Sequence, residues 1–319
     1  MRPEPELLSK IAAHPEDPAP RLAGAEWFEK HGEGSRAELI RAQLALRTRV
    51  DPAKRNALKA RVEALLKQHL KPWEAEFPEA RYSRGFIEEL EFTEARLAEQ
   101  GEELLTREPV FRLHVQVQDG KGLEKVAAQP WFERIRWLKL TGKGDAGVRS
   151  LAVAPHVGKL ESLLVPGATS KGLAALAKSE GLQRLRMLSL TGSDALDGES
   201  LAPLVQGAFT LERLFLTGLQ FEEGLGDWVE AERLQSLKWL ALNRAGLTDD
   251  DAKALANSEP LQNLERLELA RNELSEAGGL VFRSAKVMPR LTHLDLSGIY
   301  YDARKFEPLR KRLGPGLKL

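Results

Sequence analysis

From about residue 81 onward, apolar residues follow a Leu-x-x-Leu-x-Leu spacing or a close variant of it, and the pattern returns again and again. Its last apolar position falls on Phe92, Val117, Leu140, Val165, Leu190, Leu216, Leu242, Leu269 and Leu296, one copy every 23 to 27 residues, with a half-copy at Leu317-Lys318-Leu319. The apolar/polar alternation within each copy predicts a short strand with one buried face. Between strands the period lengthens. Leu173-Ala174-Ala175-Leu176-Ala177-Lys178 and Asp250-Asp251-Ala252-Lys253-Ala254-Leu255-Ala256 carry the i, i+3, i+4 spacing of short amphipathic helices. Thr248 or Asp249 is placed to cap the second. A unit this small buries its apolar face only against its neighbours, so the repeat predicts a solenoid of parallel strands backed by helices.

Before residue 81 the repeat is absent and helical spacing takes over. Helices are predicted over 6–13, 22–30, 36–50 and 53–70, with Pro15, Pro18 and Pro20 breaking the first from the second and Gly32 and Gly34 lying between the second and third. Trp27, Ile40 and Leu44 are the expected core. Arg21, Glu26, Arg36, Glu38, Arg41 and Gln43 suit interhelical ion pairs and caps better than a binding site, because salt-bridged helix surfaces are common. Trp73 and Phe77 are placed to seal the open end of the first repeat.

The copies Leu264-Glu265-Arg266-Leu267-Glu268-Leu269-Ala270-Arg271-Asn272-Glu273-Leu274 and Leu237-Lys238-Trp239-Leu240-Ala241-Leu242 resemble leucine-rich repeats. The resemblance covers roughly residues 81–319 and implies repeats of the ribonuclease-inhibitor type. The chain departs from that family at the consensus Asn, which occurs only as Asn272; the equivalent positions hold Lys143, Ala168, Ser193, Leu219, Ala245 and Ile299. Upstream, the run from Asp17 to Glu29, followed by Gly32 and Arg36-Ala37-Glu38-Leu39-Ile40-Arg41-Ala42-Gln43, resembles the bacterial repeat-companion domain. That resemblance implies a helical entry module and no biochemical activity. The expected organisation is a helical companion domain over 1–50, a helical connector and cap over 51–80, and the repeats over 81–319. The fold class is α/β, a leucine-rich repeat solenoid of about nine to ten strand-helix repeats with a parallel concave sheet and convex helices.

Composition narrows function. Lys plus Arg and Asp plus Glu both number 47, for a formal net charge of zero, which disfavours nucleic acid and anionic membranes as partners. There is no cysteine, which removes disulfides, thiolate metal sites and cysteine nucleophiles. The first residues lack the basic and apolar regions of a secretory signal, and no apolar run approaches the length of a membrane span, so the expected location is cytoplasmic.

The outward positions of each strand hold the informative variation. The third position of successive copies reads Glu89, His114, Trp137, Ser162, Met187, Arg213, Trp239, Arg266, His293, and the fifth reads Glu91, Gln116, Lys139, Leu164, Ser189, Phe215, Ala241, Glu268, Asp295. Trp137, Leu164, Met187, Phe215 and Trp239 fall on consecutive strands, an apolar run expected within about 20 Å. Such a run on a solvated face marks a partner surface that also takes in Arg213, with a polar border of Glu89, Glu91 and Gln116 at one end and Arg266, Glu268, His293 and Asp295 at the other. The plainer alternative is that these side chains only cover the sheet. The second position alternates in sign through Arg136, Glu161, Arg186, Glu212, Lys238 and Glu265, a pattern expected to form cross-strand ion pairs.

Catalytic and cofactor signals are weak. Gly142-Lys143-Gly144-Asp145-Ala146-Gly147 matches Gly-x-Gly-x-x-Gly, but a dinucleotide site wants an acid after the next strand, where this chain has Pro166. His293, Asp295 and Ser297 have the residue types of a hydrolytic triad in the wrong order, since Asp295 lies between the other two. The histidines at 14, 31, 69, 114, 156 and 293 show no metal-ligand spacing. The expectation is a non-enzymatic scaffold that binds a protein partner on the concave sheet, without cofactor or metal. Alternatives are a regulator of a small GTPase, acting through Arg213 or Arg266, and a structural or assembly role.

Overall fold

The computed structural model describes residues 3–76, 79–193, 196–207, 209–221, 224–284 and 286–319. Helices α1 (Pro5–Ala13), α2 (Pro18–Lys30), α3 (Gly34–Ala45) and α4 (Pro52–Glu76) precede a sheet. Pro18 and Pro20 do not break a helix as expected; they open α2, where a missing N–H costs nothing, and the Asp17 side chain accepts from the Ala19 N–H at 2.9 Å.

The sheet runs in strict sequence order: β1 (Ala80–Ser83), β2 (Phe86–Thr93), β3 (Arg112–Val117), β4 (Trp137–Gly142), β5 (Ser162–Leu164), β6 (Met187–Ser189), β7 (Arg213–Phe215), β8 (Trp239–Ala241), β9 (Arg266–Glu268), β10 (His293–Asp295) and β11 (Leu317–Lys318). Every pairing from β2 to β11 is parallel. Their inward residues stack in two columns, Leu138 to Leu294 and Leu140 to Leu296, each side chain essentially inaccessible to water. Truncating one of these leucines to Ala removes burial and leaves a cavity, at a cost of roughly 2–5 kcal/mol.

The opposite layer holds α5 (Glu94–Arg107), α6 (Lys121–Ala127), α7 (Gly144–Ala152), α8 (Ser170–Ala177), α9 (Asp249–Asn257), α10 (Glu276–Leu280) and α11 (Glu307–Leu313). The repeats that follow β6 and β7 use 3-10 turns at Glu199–Val205, Gly226–Glu230 and Glu232–Ser236 in place of the expected α-helix. Pro203 lies inside the first and denies it a backbone donor. The predicted helices at 173–178 and 250–256 form as α8 and α9, and Thr248 is the cap of α9, its N–H and hydroxyl donating to Asp251 at 2.8 and 2.9 Å.

One register expectation is corrected. Val115, and not Val117, pairs with Phe92 and Leu140, so the second copy begins at Val110 and its outward residues are Arg112 and His114. The slip is two residues. A shift of two preserves which face each side chain takes, so Leu113, Val115 and Val117 are all buried and alternation alone does not separate the registers.

Asn272 ties neighbouring turns together, and at one other equivalent position a serine does similar work. Asn272 accepts from the Ala245 N–H at 2.7 Å and donates to the Leu242 carbonyl at 2.8 Å, and Ser193 plays a smaller version of the role with the Ala168 N–H and Val165 carbonyl. On the helix side, carboxylates in the first turn of one repeat reach the loop of the next. Glu94 accepts from the Asp119 and Gly120 amides, Asp145 from the Thr169 amide and hydroxyl, Asp249 from the Ser275 amide and hydroxyl, and Glu276 from the Asp302 amide. Each strut also sits at a helix N-terminus, where negative charge is favoured.

The helical segment closes the first repeat. Leu8, Ile11, Ala25, Phe28, Ala37 and Ile40 form a core completed by Phe86 of β2. Gly24 is needed there, since a Cβ would lie 2.7 Å from the Phe86 ring. Phe28 takes the central place expected of Trp27, which is half-buried and stacked on His31. Ile40 is buried as expected and Leu44 packs at the margin. The Trp73 side chain and Phe77 lie outside the described residues.

Arginines on both sides bind this segment to the repeats, Arg21 and Arg36 from the helices and Arg84, Arg134 and Arg136 from the repeats. Arg36 donates to the Gly85 carbonyl at 2.7 Å and to Glu108 at 2.9 Å, with its guanidinium 4.1 Å above the Phe28 ring. Arg21 is fully buried and donates to Glu88 Oε1 at 2.6 Å, while Arg84 takes Oε2 at 2.6 Å. Exposed ion pairs within the segment include Arg41 with Glu29 and Arg61 with Glu38. Strand β1, which straddles the expected boundary between connector and repeats, was not foreseen. It forms an antiparallel hairpin with β2 through Arg84-Gly85, both at positive φ (52° and 78°), the demand of a type I′ turn.

Replacing Glu88 with Gln leaves two buried guanidiniums sharing no carboxylate. The expected loss is about 3–5 kcal/mol in chemical denaturation, against essentially no change for Glu38→Gln at its exposed pair. A Glu88→Gln protein as stable as wild type contradicts this account of the junction.

Candidate functional site

The corrected register sets the concave face. Trp137, Ser162, Met187, Arg213, Trp239, Arg266 and His293 are cross-strand neighbours in one column, and Lys139, Leu164, Ser189, Phe215, Ala241, Glu268 and Asp295 in the next. His114 therefore lies beside Glu91 and Lys139, and Arg112 takes the place next to Trp137. The five apolar residues zigzag between the columns and all are half-buried. None matches the exposure of Val153 or Tyr300, the most exposed large hydrophobics among the described residues.

Cations shield the aromatic rings. The Arg266 guanidinium lies 4.1 Å above the Trp239 ring, and Phe215 meets Trp239 edge-on at 4.9 Å. Arg112 lies 5.4 Å from the Trp137 ring. The expected single apolar patch is thus two tryptophan-arginine stacks joined by Leu164, Met187 and Phe215. Cation–π stacking contributes about 0.5–1 kcal/mol at such sites.

The charged border is more engaged than its sequence suggests. Arg266 also pairs with Glu268 at 2.7 Å, and Glu268 accepts from Asn243 at 2.9 Å. Arg213 is exposed, and its side chain makes no hydrogen bond or ion pair among the described residues. The second-position alternation gives cross-strand pairs at Arg136–Glu161 and at Lys238–Glu212, the latter at 3.2 Å. Arg186 leaves the series and donates to the Thr210 carbonyl.

His293, Asp295 and Ser297 do not form a relay. The His293 ring bonds Thr292 at 2.9 Å, while Asp295 accepts from the Ser297 N–H at 3.0 Å and lies 3.4 Å from Lys318. Partial burial raises the Asp295 pKa, but the bonds from Ser297 and the nearby Lys318 outweigh it and hold the carboxyl below its ordinary value. The Gly142 segment passes from the end of β4 straight into α7: Gly142 adopts φ 70°, Gly144 to Gly147 form the first turn of the helix, and Asp145 is occupied by Thr169.

One constellation escapes the sequence. His114 lies 3.2 Å from Glu91 through Nδ1 and 3.2 Å from Thr141 through Nε2, an acid–imidazole–hydroxyl series across β2, β3 and β4. The misplaced register hid it by setting His114 beside Glu89. Neither cavity described below includes these residues, and the series ties three strands together.

Two cavities open along the starts of the strands. The larger, about 530 Å³, lies where the Pro15–Glu16 loop of the helical segment overhangs β1 to β5 and is floored by Trp137. The smaller, about 340 Å³, lies over β7 to β10 beside Trp239 and His293. Arg213 lines both. Among the described residues no group of His, Asp and Glu is gathered as a metal site requires, and no helix is long and apolar enough to cross a membrane.

No protein-family model matches the chain. No curated protein matches it either. Among solved structures it is similar to an internalin of Listeria monocytogenes, at 16% identity over 67% of this chain and 68% of that one, with a TM-score of 0.41. The fold assignment rests on the strand register and the stacked leucine columns.

A titration of the Asp295 side-chain carboxyl by NMR is expected to show a midpoint below the ordinary Asp value of about 3.9, moving upward in Lys318→Ala. Because the folded value is depressed, its contribution to stability is complete above the unfolded value and declines as pH falls through the folded one. An unshifted midpoint contradicts the contacts described.

Proposed function

We propose that this chain is a non-enzymatic scaffold that binds a protein partner on its concave sheet, with Trp137 and Trp239 as anchors. The observation that carries the reading is the run of half-buried apolar side chains on β4 to β8, bounded by charge and held on rigid strands. Aromatic anchors inside a polar border are the usual core of a protein interface. Rigid strands also spare the ordering cost that a loop incurs on binding. In this reading Leu164, Met187 and Phe215 fill the centre, Arg266 and Glu268 orient the partner through a pair already formed, and His293 and Asp295 close the far border. We read the helical segment as a bacterial repeat-companion domain over 1–50, the connector over 51–80 as part of the cap, the repeats as the ribonuclease-inhibitor type, and the compartment as the cytoplasm.

A second reading is favoured by one observation, the unpaired and exposed Arg213 at the middle of the sheet. An arginine free to enter a partner's active site suits a regulator of a GTPase. Faster GTP turnover by a candidate GTPase, lost in Arg213→Ala, supports it; no acceleration by wild type disposes of it.

The scaffold reading is tested with Trp137→Ala/Trp239→Ala. Both residues are half-buried, so each truncation is expected to cost less than the roughly 3–5 kcal/mol of a Trp→Ala change in a core. Capture of the native partner from the source cell is expected to fall about tenfold or more, as for hot-spot residues. Unchanged capture by a folded double variant contradicts the reading, and a large loss of stability places the indoles in the core instead.

A further inference from the structure

The larger cavity is positively charged although the chain as a whole is neutral. Glu88 is shared between Arg21 and Arg84, and Glu89 between Arg81 at 3.2 Å and Arg112 at 3.6 Å. Glu161 pairs with Arg136, Glu16 pairs with Arg47, and Arg213 has no carboxylate partner among the described residues. The lining residues and their direct partners therefore hold seven guanidiniums against four carboxylates, a local excess of three positive charges.

A second, independent feature points the same way. Arg84 is nine-tenths buried, lines the cavity, and leaves its Nε–H without a hydrogen-bond partner among the described residues. It also occupies a left-handed turn position, φ 52°, where Asn or Gly is ordinarily found. Backbone strain and an unmet buried donor persist only where the surroundings hold them in place, and they mark binding sites.

We propose that this cavity is the subsite for an acidic segment of the protein partner, a stretch with two or more carboxylates flanking an apolar side chain. Arg81 and Arg112 receive one carboxylate, Arg213 a second, and Trp137 packs the apolar side chain between them. Arg–carboxylate bonds supply the direction, and the positive field speeds encounter. Arg112 and Arg213 stand on β3 and β7, four strand spacings or roughly 19 Å apart, so one small anion does not bridge them. An extended segment of about six residues does. This inference rests on the scaffold reading and adds the chemistry of the partner to it.

The test uses the full chain and a fluorescein-labelled peptide of about ten residues that alternates Glu and Leu, beside a copy with Gln for Glu. At low salt the Glu peptide is expected to bind about tenfold tighter than the Gln copy, and its affinity to fall as salt rises. Arg112→Gln/Arg213→Gln, both exposed sites that leave the fold intact, is expected to weaken the Glu peptide about fivefold or more. Equal binding of the two peptides, or an unaffected double variant, overturns the proposal. Direct binding of ATP more tightly than the Glu peptide also overturns it, in favour of a phosphate ligand. The scaffold reading is scored separately: partner capture lost in the tryptophan variant but intact in Arg112→Gln/Arg213→Gln keeps the scaffold and removes the acidic subsite. Peptide binding with no tryptophan-dependent partner does the reverse.

Discussion

No repeat in this protein buries its own leucines. Leu138 and Leu140 lose their water only because Leu163 and Val165 stand on one side and Leu113 and Val115 on the other, and the same holds along the array. Stability is therefore a sum of neighbour contacts, and each free end leaves a face uncovered. At the start of the array that face is closed twice. The hairpin strand β1 pairs the open edge of β2, and the helical core takes Phe86 as its seventh member. The buried Arg21–Glu88–Arg84 group fixes the angle at which the helices meet the sheet.

The same constraint creates the surface. Because inward residues are committed to the leucine columns, the intervening positions must face out, in register, on every strand. Function is then written in positions the fold does not use. Those positions are sorted: charged at the start, with Glu89, Glu91 and Arg112 where the helical loop overhangs the sheet, aromatic and aliphatic through the middle, and paired charges toward β10. A net charge of zero conceals this sorting, since the positive excess near Trp137 is balanced elsewhere in the chain. The helical segment is thus more than an end cap, because Pro15 and Glu16 form one wall of the larger cavity.

The strands were legible because a leucine period of this length has one physical solution. The errors have equally physical origins. Val117 displaced Val115 because three successive alternating positions are buried, and a two-residue slip leaves the faces unchanged. Pro18 and Pro20 read as breakers when they are helix starters. The β1 hairpin turns on Arg84-Gly85, a pair that lacks the usual Asn or Asp signal. The helix-side struts from Glu94, Asp145, Asp249 and Glu276 look like ordinary capping acids until the next repeat is in place. Of the candidate site, the column identities from β4 onward could be read directly, but the place of Arg112 on β3, the stacking of Arg112 and Arg266 over the indoles and the convergence on Glu88 could not. Arg21 and Glu88 are 67 residues apart, and only the docking of the helices brings them together.

The central claim is that a protein partner lies on the concave face. Site-specific photocrosslinking tests it most directly, with a photoreactive residue placed at Ser189 between the two tryptophan stacks or at Lys178 on the opposite, helical side. The account predicts a partner crosslinked from Ser189 and none from Lys178. Crosslinks from Lys178 with none from Ser189 would contradict it.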